Sequence, residues 1–178
     1  MGGKVGLKGT DGPDILEHAI GLGATPIAQR RAVELLSALH ASKTISAELV
    51  TCPGQMGQNA ATEAGLGPKI IGGTAHQKTT SEDTKKAAQE LQQSEVDLLL
   101  FVGGDGTARD VSEAVDQKIV CLGIPAGVKV YSAVFSTNPR SGASLALQYL
   151  SDEAKLVDAE VLDVDEEDFR KDRISVRL

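Results

Sequence analysis

With 178 residues and 41% apolar side chains, the chain is long enough to bury the core of one domain. Its formal net charge of −7 argues against nucleic acid or an anionic membrane surface as the main partner. No stretch has the pattern of a membrane span or a signal peptide, and the isolated thiols Cys52 and Cys121 favour a reducing, cytoplasmic setting over a disulfide framework.

Taken in chain order, the first half alternates predicted helices with short predicted strands. A helix is predicted near Asp14–Leu22, and the next helix opens with Thr25 as its N-cap and Pro26 at its first position. Apolar residues at spacings of three and four then predict one buried stripe, formed by Ala32, Leu35, Leu36 and Leu39. The other elements of this half are a strand over 45–51, a short helix within 54–65 and a strand over 69–71 that ends at Gly72-Gly73.

The second half continues this alternation. A capping-box signature at Thr80 and Asp83 predicts the start of a helix. The elements predicted after it are a strand over 97–102, a helix from Thr107 to about Asp116, a strand over 119–123 and a helix capped by Ser141. Thr107 and Asp110 have the spacing of a second capping box, which gives Asp110 a structural role.

The strands predicted in the middle of the chain are continuously apolar, which indicates burial on both faces. Parallel sheets covered by helices have this property. We therefore predict an open α/β domain over residues 1–152, with a mostly parallel sheet and helices on both faces. Because ligands of such sheets bind beyond the carboxyl ends of the strands, the candidate site lies where residues 103–107 and 125–129 follow their strands.

The two ends of the chain depart from this pattern. Residues 2–12 form a glycine-rich stretch with no strand before it, so we expect that a first strand is missing. Val157, Ala159 and Val161 alternate with acidic residues and predict an antiparallel strand with one wet face, followed by a solvated acidic turn over 163–168. A further strand begins at Ile174, so residues 153–178 are predicted to open a second, β-rich domain.

The most informative segment is Gly103-Gly104-Asp105-Gly106-Thr107, directly after the apolar strand over 97–102. Glycines let the backbone approach a ligand closely, and a helix N-terminus attracts an anion. A carboxylate beside a phosphate is repelled unless it holds a divalent cation or accepts a proton from an attacking hydroxyl. Asp105 therefore points to phosphoryl transfer.

This segment resembles the superfamily of NAD kinases and diacylglycerol kinases. Two further segments contribute to the resemblance: Ile124-Pro-Ala-Gly-Val-Lys129 and Gly6-Leu-Lys-Gly-Thr-Asp-Gly12. Within this superfamily, the chain is similar to the ATP-NAD kinase subgroup related to AcoX-type proteins. The resemblance covers roughly residues 2–165. It implies an α/β domain followed by a β-sandwich domain, an active site between them, a homo-oligomer, and ATP with Mg²⁺ as donor and metal for phosphorylating the 2′-hydroxyl of NAD.

The resemblance assigns roles to individual residues. Asp105 matches the motif aspartate, which handles the phosphate-site metal or activates the acceptor hydroxyl. The phosphate-contacting backbone is matched by Gly103, Gly104, Gly106 and Thr107. Gly127 and Lys129 lie in a segment where better characterised NAD kinases have an Asn- and Gly-containing loop, which puts the acceptor in doubt.

The residues themselves suggest a role for Lys129. An ammonium group at the start of a predicted helix is unfavourable for the helix dipole, so a phosphate of ATP or of the dinucleotide is expected beside Lys129. The alternative is a solvated surface lysine. Ser132, one turn beyond, is a further candidate nucleotide contact, and a plain helical serine is the alternative.

Other functions stay open at this point. A kinase for another small or lipid acceptor shares the same glycine motif, and a nucleotide-binding module without turnover retains the same fold. Residues 2–12 are interpreted either as a flap over the nucleotide or as the remainder of a loop. A substrate contact is considered for Gly72-Gly73-Thr74 and Thr79-Thr80, although capping already accounts for Thr80. Because two segments are expected to be missing, we predict low activity for these 178 residues alone.

Overall fold

Three layers of helix, strand and helix make up the computed structural model of the chain. The structure describes residues 17–18, 20–23, 26–43, 46–73, 79–127, 130–164 and 176–177. Predictions that fall on residues 2–12, on Thr25, on residues 74–78 or on Lys129 lie outside these ranges.

The helices are α1 (Ala28–Ser42), α2 (Gln58–Glu63), α3 (Ser81–Gln93), α4 (Asp105–Val115) and α5 (Pro139–Leu150). The strands are β1 (Val50–Thr51), β2 (Lys69–Ile70), β3 (Leu98–Gly103), β4 (Val120–Pro125), β5 (Asp163–Val164) and β6 (Val176–Arg177). A short 3₁₀ turn over Gly54–Met56 precedes α2. Of the residues predicted as a first helix, Glu17, His18, Ile20 and Gly21 are helical.

Strand β3 is the centre of the core because both of its faces are covered by helices. Leu99 and Phe101 pack against α3 and α4 on one face. Leu100 and Val102 pack on the other face, in a cluster that includes Leu35 of α1. The sequence of β3 is continuously apolar because both faces of the strand are buried, as we predicted. This confirms an α/β fold with helices on both sides of the strands.

The strands form pairs. β1 is parallel to β2 and β3 is parallel to β4, in the register that joins Leu98 to Val120 and Gly103 to Pro125. Each pair is a separate two-stranded sheet in the described part of the chain. The parallel orientation is as predicted. The predicted single open sheet is not seen in the described part of the chain, because the two parallel pairs are not hydrogen-bonded to each other.

Local signals predicted helix starts with mixed success. The capping box of α3 is confirmed, because Thr80 accepts from the Asp83 amide and Asp83 accepts from the Thr80 amide. In contrast, α1 begins two residues after Pro26, with Ile27 as N-cap. Helix α5 is capped by Asn138, and Ser141 is the third-residue partner in that capping box.

The segment after α5 differs from the prediction. Residues 153–162 contain no strand, so the strand predicted over 157–161 is wrong. β6 (Val176–Arg177) lies within the strand predicted from Ile174, and it pairs antiparallel with Asp163–Val164. A strand therefore occupies the first two residues of the predicted turn, and residues 165–168 of that turn lie outside the described ranges. Among the described residues, no helix has both the length and the apolar character that crossing a membrane requires.

Candidate functional site

The candidate site is built on the turn from β3 into α4. The helix begins at Asp105 with Gly104 as its N-cap, and no side chain caps it. The predicted start at Thr107 and its capping box with Asp110 are therefore wrong. Asp105 lies in the first turn of α4, where a carboxylate interacts favourably with the positive end of the helix dipole.

Two neighbouring glycines in this turn differ in their surroundings. A Cβ on Gly103 would lie 2.5 Å from the Cβ of Thr107, so packing alone accounts for glycine at this position. A Cβ on Gly104 would meet no heavy atom within 4 Å among the described residues beyond its chain neighbours, and its φ of −118° suits any residue. Neither packing nor backbone strain explains glycine at position 104.

The amides at the start of α4 are available to a ligand. The first backbone bond of the helix runs from the Ala108 N–H to the Gly104 carbonyl, at 3.0 Å. Among the described residues, no acceptor is paired with the amides of Asp105, Gly106 and Thr107. Unpaired amides with a positive dipole end constitute an anion site when open space lies before them.

The carboxyl end of β4 lies beside this turn. The Ala126 N–H donates to the Gly103 carbonyl at 2.8 Å, which joins the two strand ends that the sequence placed at one edge. Gly127 follows directly, whereas Lys129 is outside the described residues. The helix predicted at Lys129 does not continue into residues 130–138, which are described and contain no helix.

Asp105 makes contacts that the sequence did not predict. The Tyr131 N–H donates to both of its carboxylate oxygens, at 3.1 and 3.0 Å. The Ser132 N–H and hydroxyl donate to Oδ1, at 2.8 and 2.6 Å. Oδ1 thus accepts three hydrogen bonds and Oδ2 one, so acceptor capacity remains on Oδ2. The motif aspartate therefore holds the chain after β4 against the start of α4.

Ser132 extends this connection toward the C-terminal segment. It is 4% exposed, and its hydroxyl also accepts from the Leu162 N–H at 3.1 Å. Next to it, the Ala133 N–H donates to the Glu160 carbonyl at 3.1 Å. The Ser132 hydroxyl is therefore occupied by protein partners, and its contact with a nucleotide stays a prediction.

Residues 134–136 are fixed against β4 by packing around Gly123. The Gly123 N–H donates to the Val134 carbonyl at 3.0 Å, and the Ser136 N–H donates to the Gly123 carbonyl at 2.9 Å. The rings of Phe135 and Phe101 meet edge to face with centroids 5.5 Å apart. A Cβ on Gly123 would lie 2.6 Å from the Phe135 ring, so glycine is required here for packing.

Asp110 has a different structural role from the one predicted. It is 7% exposed in the middle of α4, and its Oδ1 lies 4.0 Å from the Lys85 ammonium and 3.7 Å from the Arg109 guanidinium. Lys85 also contacts Glu113 at 2.7 Å. That hydrogen bond raises the pKa of Lys85 and lowers the pKa of Glu113. The group is an ion-pair network that joins α3 to α4.

Two of the remaining candidate positions, Gly72 and Thr80, have structural explanations. A Cβ on Gly72 would overlap the Glu90 carboxylate, and its φ of +86° favours glycine, so its glycine needs no ligand. Thr80 caps α3, as described above.

The two cysteine thiols have raised pKa values. For Cys52 the larger cause is burial and the smaller is the nearby Glu90 carboxylate. Burial raises the pKa of Cys121 to about 11. Both cysteines are free and protonated at neutral pH.

Comparison with known proteins identifies the family. The model of the ATP-NAD kinase N-terminal domain matches residues 15–154, which is well over half of the chain. The chain belongs to the ATP-NAD kinase family. No curated protein and no solved structure matches the chain.

Among the described residues of this ATP-NAD kinase domain, no group of three or more histidine, cysteine or acidic side chains is arranged so that it could hold a metal ion. Mg²⁺ in kinase sites is held by one or two carboxylates together with substrate phosphates and water. Asp105, with acceptor capacity left on Oδ2 next to the anion site, fits that arrangement.

Proposed function

We propose that the protein is an ATP-dependent kinase that transfers the γ-phosphoryl group to the 2′-hydroxyl of NAD and so produces NADP. Family membership supports the reaction class. The observation that carries the site assignment is the open space at Gly104, in front of three amides with no described partner. A bound phosphate accounts for glycine at a position where neither packing nor strain requires it.

The start of α4 would bind phosphate oxygens of ATP. The amides of Asp105, Gly106 and Thr107 point out of the first turn of a helix, and the helix dipole adds a partial positive charge there. The turn is held by the bond between Ala126 and Gly103, so its donors are positioned before the ligand binds. Preorganised donors stabilise the charge on a transferring phosphoryl group without reorganisation. Gly127 is proposed to line the same site.

Asp105 would act at the acceptor side of this site. Oδ1 accepts three hydrogen bonds from residues 131 and 132, which fixes the orientation of the carboxylate. Oδ2 accepts one and has capacity left for the proton of the ribose hydroxyl. Mg²⁺, when bound, would neutralise charge on the transferring phosphate. Replacing Asp105 removes both the proton acceptor and the restraint on the chain at residues 131–132.

A kinase for another acceptor is the second candidate, because Ile124–Lys129 departs from the Asn- and Gly-containing loop of better characterised NAD kinases. The deciding experiment supplies ATP, Mg²⁺ and a panel of acceptors: NAD, NADH, polyols and detergent-solubilised diacylglycerol. We expect phosphorylation of NAD in preference to the others. Preferential phosphorylation of diacylglycerol or of a polyol would overturn the assignment of NAD.

The role of Asp105 has a matched control in the residue that caps the other end of the same helix. Asp105→Asn is expected to reduce NADP formation at least a hundredfold, since the acceptor of the hydroxyl proton is lost. Asp116→Asn, at the exposed C-terminal end of α4, should leave the rate within twofold. Equal rates for the two variants would exclude the assigned role.

Several broader properties follow from the resemblance and are proposals. We propose the AcoX-related subgroup, a homo-oligomer, a cytoplasmic location, and two units over residues 1–152 and 153–178. The β5–β6 pair is consistent with the start of a second unit. Because the family active site lies between two domains, a longer polypeptide should form NADP faster than these 178 residues. Equal turnover by the two would contradict that division.

A further inference from the structure

The Ser132 hydroxyl connects the motif carboxylate to a segment that is distant in the sequence. Its oxygen lies 2.6 Å from Asp105 Oδ1 and 3.1 Å from the Leu162 nitrogen. Ser132 is buried, so water has little access to the hydroxyl. Buried hydroxyls take their hydrogen-bond partners from the protein, and these two partners therefore set the orientation of the group.

The direction of the hydroxyl proton follows from the chemistry of the two partners. A backbone N–H can only donate, so the Leu162 amide uses a lone pair of Ser132 Oγ. An ionised carboxylate can only accept, so the single hydroxyl proton points at Oδ1 of Asp105. A bond of 2.6 Å between a hydroxyl and a carboxylate oxygen is in the range of the strong, charge-assisted hydrogen bonds.

The same contacts make the two oxygens of Asp105 unequal as proton acceptors. Oδ1 faces three donors, which are the Tyr131 N–H, the Ser132 N–H and the Ser132 hydroxyl. A proton placed on Oδ1 would point at these donor hydrogens, and at least one of the hydrogen bonds would be lost. Oδ2 faces only the Tyr131 N–H among the described residues, so it takes up a proton at a lower cost.

We propose that Ser132 is a positioning residue for phosphoryl transfer, because its hydroxyl reserves Oδ2 of Asp105 for the proton of the acceptor hydroxyl. This inference rests on the proposed function, in which Asp105 accepts that proton. The proton moves to Oδ2 while the ribose oxygen bonds to the γ-phosphorus of ATP. The bond from that phosphorus to the bridging oxygen breaks, and its electron pair leaves with ADP. In this role Ser132 acts through Asp105.

The segment over 160–162 supports this orientation from the other side. The Leu162 N–H occupies the lone pair of Ser132, and the neighbouring Ala133 N–H donates to the Glu160 carbonyl at 3.1 Å. Two backbone groups therefore hold this segment beside residues 132–133. The position of the segment restricts rotation of the Ser132 hydroxyl and, through it, rotation of the Asp105 carboxylate.

The test compares Ser132→Ala with Ser136→Ala. Ser136 is a matched control because it is also buried and its hydroxyl donates to the Asn138 carbonyl instead of to Asp105. Ser132→Ala should lower kcat for NADP formation about tenfold and leave KM for ATP and for NAD within about twofold, because the lost bond acts on the proton acceptor. In Ser136→Ala, kcat should stay within about twofold of the wild type.

A conservative variant separates positioning from a general effect on folding. Ser132→Thr retains the hydroxyl and should recover most of the kcat that Ser132→Ala loses. The urea midpoint of each variant is measured alongside. Failure of Ser132→Thr to recover kcat at a wild-type urea midpoint would overturn the proposal.

Two further readouts do not depend on kinase activity. Hydrogen exchange of the Leu162 amide, followed by NMR, should be about tenfold faster in Ser132→Ala and unchanged in Ser136→Ala, because only the first variant removes its acceptor. The loss in urea midpoint caused by Ser132→Ala should be smaller in an Asp105→Ala background, because the acceptor of the hydroxyl proton is already absent there.

The remaining outcomes each decide the matter. An unchanged kcat in Ser132→Ala, or an equal fall in Ser136→Ala, would overturn the proposal. A rise in KM for ATP or NAD at unchanged kcat would overturn it too and would assign Ser132 to a contact with substrate. If the wild type forms no NADP, the proposed function fails. A smaller midpoint loss in the Asp105→Ala background would then still support the hold of Ser132 on the carboxylate, and equal losses would refute it.

Discussion

The two glycines at the end of β3 provide a matched pair of substitutions with opposite expected effects. In Gly103→Ala, the new methyl group would lie 2.5 Å from the Thr107 Cβ and 2.8 Å from its Cγ2, well inside the ordinary contact distance of about 3.5–4.0 Å. Thr107 is in the first turn of α4, so the helix start has to shift. Overpacking of this kind costs about 1–3 kcal/mol, and we expect the free energy of unfolding to fall by that amount.

Gly104→Ala should affect binding and spare the fold. Its methyl group would meet no heavy atom of the described residues within 4 Å beyond its chain neighbours, and its backbone conformation is allowed for alanine. Such a substitution stabilises a protein by up to about 1 kcal/mol, because the unfolded chain loses conformational freedom. The same methyl group would occupy the space assigned to a phosphate, so we expect ATP to bind at least tenfold more weakly.

The assay for this pair combines urea denaturation with isothermal titration of ATP. Gly104→Ala should keep or slightly raise the urea midpoint of the wild type and lose ATP affinity, whereas Gly103→Ala should lower the midpoint. If Gly104→Ala binds ATP as tightly as the wild type does, the phosphate does not lie at Gly104 and the reasoning about the open space is wrong.

Three further predictions concern the support of the site. Thr80→Ala removes the cap of α3 and should lower the free energy of unfolding by about 1 kcal/mol, with a comparable loss in Asp83→Ala, measured by urea denaturation. Because burial raises the pKa of Cys121 from 9.0 to about 11, the folded state keeps the thiol proton in a pH range where the unfolded state loses it. The free energy of unfolding should therefore fall as pH rises from 9 to about 11, and it should fall less steeply in Cys121→Ala. Lys85→Met removes the hydrogen bond that lowers the pKa of Glu113, and an NMR titration should show that pKa rise towards its ordinary value; an unchanged pKa would contradict the ion pair.

The sequence predicted best those features that depend on local or periodic signals. β3 is continuously apolar because both faces are covered, and the box of Thr80 with Asp83 is formed within four residues. The stripe of α1 followed from spacing alone, and Leu35 and Leu36 are buried. In each case one short stretch contains the whole physical cause.

Helix starts were misplaced where two local signals competed. Thr107 and Asp110 have the spacing of a capping box, yet α4 begins two residues before Thr107 because Gly104 and Asp105 already lie in the turn out of β3. For α5, Asn138 and Ser141 are both good caps, and Pro139 at the first helical position favours Asn138. That proline was a usable signal in the sequence.

The contacts between the two loops of the site could not be predicted from the sequence. The hydrogen bonds that Asp105 accepts from Tyr131 and Ser132 join residues 26 and 27 positions apart, and they exist because β4 brings the chain back beside β3. The same holds for the packing of Phe135 on Gly123. A spacing pattern does not report contacts between residues far apart in the chain. A helix was therefore expected after Lys129, where residues 130–138 form bends and a turn held against β4 and Asp105.

The central claim, transfer of phosphate from ATP to NAD at Asp105, is tested most directly with ATP labelled in its γ-phosphate. The protein is incubated with labelled ATP, Mg²⁺ and NAD, and the label is followed into NADP by chromatography. We expect labelled NADP with the wild type and at least a hundredfold less with Asp105→Asn. Label found only in free phosphate, or an equal yield of NADP from Asp105→Asn, would contradict the account.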